Sequence, residues 1–166
     1  MAIQLVFFSL LFFISLAIAW QDFKSRLVSV WLIIVFFAIT TGNTLYSTGW
    51  LPILFNFLGT LLYFGLTFLV IYLYYFLKEK KWPKIINEKI GWADIWIFLA
   101  IGINLNIIEL ILFFTGAFII SALIGLLLLR QNKTVPLAGI LVILYNFFFC
   151  ILTIFHLDLV VLNGLG

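Results

Sequence analysis

All nine basic residues of this 166-residue chain fall in three of the connections between its apolar stretches. Lys24 and Arg26 form one group, Lys78, Lys80, Lys81, Lys84 and Lys89 a second, and Arg130 and Lys133 a third. The intervening connections, Gly42–Trp50 and Asn104–Asn106, carry none, and neither end of the chain does. Around these groups lie six apolar stretches: Ile3–Trp20, Leu27–Thr41, Leu51–Leu77, Ile90–Ile103, Ile107–Leu129 and Val135–Phe155. A membrane helix needs about 20 mostly apolar residues. The second and fourth stretches are short for this, and the third is long. The runs are continuously apolar, without the period-two alternation of a barrel strand, so helices are expected.

Composition closes off the soluble alternative. Two thirds of the residues are hydrophobic and 9% are charged, too few to cover a water-exposed surface. The expected fold is all-α: a polytopic membrane protein of six transmembrane helices forming a single domain over residues 1–166. Basic residues mark cytoplasmic loops, so the three basic connections are expected inside and both termini outside. Trp20, Trp50, Trp82, Trp92 and Trp96 sit at or near segment ends, where an amphipathic ring prefers the interface, and Trp31 lies a turn inside. Ala17-Ile18-Ala19 looks like a signal-peptidase site, but Met1-Ala2-Ile3-Gln4 has no basic residue, so the first segment reads as a retained helix.

Few residues are equipped for chemistry. One Cys and one His exclude an internal disulfide and argue against a zinc site, and no metal or other cofactor is expected. No nucleic-acid partner is expected. Membrane lipid is the expected surrounding, and the basic Lys78–Lys89 loop needs no special lipid site, because topology accounts for its charge. Ala117, Ser121 and Gly125 recur every four residues and form a small-residue packing face, with Ser121 placed far from His156. Cys150, in an apolar run, reads as a packed side chain.

Two acids remain. Asp22 follows the first apolar segment and Asp94 opens the fourth, and the charge pattern puts both at the cytoplasmic face. Acids at the edge of a membrane helix are costly and usually functional. If helices one and four pack together, the carboxylates meet and share a proton. One then takes a proton from water while the other gives one to a carbonyl oxygen. Each acid also has a structural reading: Asp94 favours the positive end of its helix dipole, and Asp22 pairs with Lys24 or Arg26 in a solvated loop. Glu79 and Glu88 lie among lysines, and Glu109 and Asp158 belong to the opposite face.

Gly91-Trp92-Ala93-Asp94 resembles the Gly-x-Gly-Asp motif of the type IV prepilin peptidases. Asp22-Phe23-Lys24-Ser25-Arg26-Leu27-Val28 resembles that family's first aspartate site, and Val135-Pro136-Leu137-Ala138-Gly139 its proline-containing lead into the last helix. The resemblance implies an intramembrane aspartyl endopeptidase that removes leaders from prepilin-like or pseudopilin-like substrates. The work would be done at the cytoplasmic face of the inner membrane, in type IV pilus or protein-secretion systems. It implies Asp22 and Asp94 as the catalytic pair, Gly91 and Ala93 as motif backbone, and Lys24, Arg26 and Pro136 as supporting residues. The chain departs from the family pattern in several places. Ala93 stands at the second glycine, where a backbone bend is expected to differ, Trp96 where many members have lysine, and Ser29-Val30 at a common Pro-Asn pair. The Cys-x-x-Cys-bearing cytoplasmic domain of larger members is missing, so N-methylation is not implied. Two other readings use the same features. One is a catalytically inactive assembly partner on this fold. The other is a small ion-coupled carrier, for which Asn56, Thr60, Ser121 and Asn146 are the scattered polar residues.

Overall fold

Nothing in Gln21-Asp22-Phe23-Lys24-Ser25 breaks a helix, and the first helix runs straight through it. A computed structural model describes residues 2–80, 91–129 and 136–155. Among these the elements are all helical: α1 (Ala2–Ser25), α2 (Val30–Thr48), α3 (Trp50–Glu79), α4 (Trp92–Gly102), α5 (Ile107–Leu129) and α6 (Leu137–Phe155). Four of them, α1, α2, α3 and α5, are long and apolar enough to cross a membrane, while α4 and α6 contribute shorter apolar helices. Lys81, Trp82, Lys84, Glu88, Lys89, Arg130, Lys133, His156 and Asp158 lie outside the described residues.

Two boundaries differ from expectation. Asp22 is not in a loop but in the last turn of α1, which ends at Arg26 in a left-handed conformation, φ 58°. The expected loop Gly42–Trp50 is mostly helix: α2 continues to Thr48, and Gly49 alone, φ 83°, separates it from α3. The polar run stays helical because its hydroxyls find acceptors one turn back. Thr40, Thr44 and Thr48 donate to Phe36 O, Thr40 O and Thr44 O at 3.0, 3.3 and 2.9 Å. Glycine suits the link because φ there is one that side chains resist.

The short α4 is enclosed by α2, α3 and α6. Ile97, Phe98, Ala100, Ile101 and Gly102 are buried along it. Phe98 meets Phe64 of α3 and Phe114 of α5, ring centroids 4.8 and 4.9 Å away. Eleven residues make a helix of about 16 Å, roughly half the hydrocarbon thickness. The chain then turns within the fold: Ile103 and Leu105 are buried. A buried turn needs partners for its polar groups. Asn104 Nδ2 donates to Ala100 O, Thr44 Oγ1 to Asn104 Oδ1, and Asn56 Nδ2 to Ile103 O.

The most extensive seam joins α1 to α6, and Gly139 makes it possible. A Cβ there would lie 3.2 Å from Ala19 Cα and from two ring carbons of Phe23. The small-residue face of α5 is buried as the sequence suggests, at Ala117, Ser121 and Gly125.

Candidate active site

The first turn of α6 carries backbone N–H groups with no partner inside the helix, and Pro136, just before it, has no side-chain acceptor to offer. The acceptor comes from another helix. Asp22 is 6% exposed, and Gly139 N–H donates to its Oδ2 at 2.7 Å, across 117 residues of sequence. A carboxylate at a helix N-terminus meets both a free donor and the positive end of the dipole. Pro136 is itself fully buried, and its carbonyl accepts from Ile140 N–H at 3.1 Å to close the turn.

Asp94 arrives at the same place from α4. It is the third helical residue, and its Oδ2 accepts from Gly91 N–H at 3.1 Å, one half of a capping box. Glycine fits at 91 for closeness rather than for an unusual φ. Its backbone is extended, φ −75°, but a Cβ would sit 3.2 Å from that same oxygen. Asp94 also faces the backbone amide of Ala138, and Asp22 is near enough to act on it electrostatically. Two carboxylates 72 residues apart in sequence therefore converge at the first turn of α6, Asp22 bonded to Gly139 and Asp94 near Ala138.

The means of convergence differs from expectation. Helices α1 and α4 are not a principal pair: α6 packs against both and stands between them as the bridge. Asp22 is not held in a solvated pair with Lys24 or Arg26 either. Lys24 is exposed, whereas Arg26 is half-buried and its charge acts on Asp22. Ala93 is ordinary helix, without positive φ, so alanine in place of the second motif glycine imposes no backbone strain here. Trp96 is 51% exposed and Trp92 53%, on the outer surface of the bundle.

Residues with (i, i+3) partners sit at the other end of α4. Asn106 Oδ1 accepts from Ile108 N–H and Glu109 N–H at 3.1 and 3.0 Å, and Glu109 Oε2 accepts from Asn106 N–H at 3.0 Å. That closes a full capping box for α5 and places Glu109 a helix length from Asp94. Asn56, Thr60 and Asn146 each bond a backbone carbonyl, those of Ile103, Asn56 and Val142.

Sequence reasoning did not single out two contributors. One is Gly139, whose amide holds Asp22 and whose missing side chain admits α1. The signal was present: a glycine in the first turn of a helix, three residues after a proline, has no propensity reason to be there. The other is Gln21, whose Oε1 accepts from both the amide and the hydroxyl of Ser29 at 2.8 Å. It ties the last turn of α1, Asp22 included, to the start of α2.

With the geometry in place, one comparison is decisive. Residues 9–126 match the model of the type IV leader peptidase family. The chain belongs to the type IV leader peptidase family. No curated protein and no solved structure was found to match it. The matched segment contains both aspartates and ends before α6. Family membership and the four long apolar helices make this a multi-pass membrane protein of a peptidase family.

Proposed function

We propose that the chain is an aspartic-type endopeptidase that cuts leaders from prepilin-like or pseudopilin-like proteins, with Asp22 and Asp94 as its catalytic pair. The observation that carries this is their convergence on the first turn of α6. Hydrolysis by such a pair needs one carboxylate and one carboxylic acid. The carboxylate takes a proton from water, whose oxygen adds to the scissile carbonyl carbon. The acid protonates the carbonyl oxygen, giving a neutral tetrahedral intermediate. Proton return to the amide nitrogen then breaks the C–N bond and frees leader and mature protein. The amides of Gly139 and Gly91 hold the two side chains in place throughout.

The site works at the cytoplasmic face of the inner membrane, with both termini outside and the basic connections inside. The whole chain acts as one peptidase domain. The charge pattern supports this orientation. A cysteine placed at exposed Lys24 in a Cys150-free chain will react with an impermeant maleimide from the cytoplasmic side alone.

The decisive experiment is co-expression with leader-bearing proteins encoded nearby, scored by leader removal. Wild type cuts, and Asp22→Asn and Asp94→Asn do not, with folding retained. A single mutant cutting at the wild-type rate sinks the pair. An inactive assembly partner is the reading that remains if wild type cuts nothing, because caps on α6 and α4 alone also account for both acids.

A further inference from the structure

Arg26 closes α1 in a left-handed conformation, φ 58°, which side-chain-bearing residues rarely adopt. Among the described residues Lys80 is the other non-glycine case, and it is exposed at the end of α3. Arg26 is different. Its backbone N–H donates to Asp22 O at 2.9 Å, so the unusual residue directly follows the turn that carries the carboxylate. Its side chain is half-buried, and Nη1 is buried without a hydrogen-bond partner. Four other buried side-chain atoms lack partners among the described residues: Ser15 Oγ, Thr41 Oγ1, Ser121 Oγ and Asn146 Oδ1. All four are neutral, whereas Arg26 alone carries a charge. A buried charged donor left unmatched is the costliest of these.

Asp22 does not resolve this. Its Oδ2 is taken by Gly139, and Arg26 acts on it through space. The donor is therefore left unmatched near Asp22. An anionic partner would bring a second negative group next to that carboxylate. A peptide carbonyl oxygen accepts the same hydrogen bond without a net charge, and a planar guanidinium fixes its direction in a way a lysine cannot.

We infer that Arg26 is a substrate-holding residue, donating from Nη1 to a backbone carbonyl oxygen of the bound leader peptide beside the bond that is cut. This rests on the peptidase reading of the site. The fork then sets the peptide's register against Asp22.

The test uses the full chain in nanodiscs and a fluorescent peptide spanning the leader junction of a type IV prepilin. Binding is read by anisotropy in an Asp94→Asn background, where nothing is cut, and cleavage is read separately with both aspartates intact. Arg26→Gly is the main variant, since glycine takes this φ without strain. It is expected to bind the peptide about 10- to 100-fold more weakly, as for loss of a charged hydrogen bond. Millimolar guanidinium ion restores part of that loss, and Arg26→Lys lies between. A purely structural role would leave the guanidinium response flat. Wild-type affinity in Arg26→Gly, or no response to guanidinium, overturns the inference. If the chain with both aspartates intact cuts nothing while binding still depends on Arg26, the peptidase reading falls and the carbonyl contact stands. If it cuts, and Arg26→Gly binds and cuts equally well, only the contact falls.

Discussion

The two ends of α4 handle polar groups in opposite ways. At its C-terminal end, Asn104, Asn106 and Glu109 are matched by neighbours, mostly within four residues of sequence. At its N-terminal end, Asp94 is capped by Gly91, Asp22 is matched by Gly139 of α6, 117 residues away, and Arg26 keeps an unmatched donor. The first cluster satisfies itself and needs nothing more to explain it than a buried turn. The second gathers three charged side chains at a place where hydrophobic residues would cost less. Fully matched polarity marks architecture here, and a charged donor left unmatched near a buried acid marks the candidate site.

Mutations at the two ends should therefore separate activity from stability. The largest effect is expected at the carboxylates. Asp22→Asn or Asp94→Asn should lower leader removal by roughly 10²- to 10⁴-fold, the usual loss for an acid–base group, with thermal unfolding in detergent little changed. For the intact pair, activity against pH should be bell-shaped, since one group must be ionised and the other protonated. A profile that is flat across the acid range breaks the comparison at its centre.

Gly139→Val comes next, because it touches both functions of α6. Its side chain would enter the 3.2 Å space beside Ala19 and Phe23. A loss of about 1–3 kcal/mol is expected, as for overpacking, together with reduced cleavage as the Asp22 contact shifts. Unchanged unfolding would mean that α1 and α6 are not pressed together as described.

At the opposite end, Asn106→Ala should cost about 1 kcal/mol, the value of an N-cap, while cleavage stays within twofold of wild type. A large loss of cleavage there would show that the two ends are not separable. The smallest effect belongs to Ala93→Gly, which restores the family motif. Because Ala93 is helical, glycine should cost about 0.5–1 kcal/mol and bring no gain in cleavage. A marked gain would mean that the motif glycine matters in a conformation other than this one.

The helices were legible because the apolar runs are long and the basic residues interrupt them at regular intervals. Boundaries were less legible where local chemistry outweighed polarity. Thr44 and Thr48 read as loop by composition, yet their hydroxyls return to the helix backbone and extend it. The two acids were visible as expensive residues at segment ends, and Asp94 reads as placed at the positive end of its helix dipole. The meeting point was not. Which helix stands between two acids depends on how small a residue the third helix presents, and Gly139 says so only when its neighbours are known. Arg26 is marked as a supporting residue by the family resemblance, but its left-handed φ and unmatched nitrogen leave no trace in spacing.

Because Asp22 takes its amide from the first turn of α6 while Asp94 takes its own from Gly91, the setting of α6 bears on the two acids unequally. A slide of one residue along that axis, about 1.5 Å, would carry the Gly139 donor away from Asp22 and leave the Gly91 cap on Asp94 in place. Any partner that leans on α6 thus has mechanical purchase on one acid of the two.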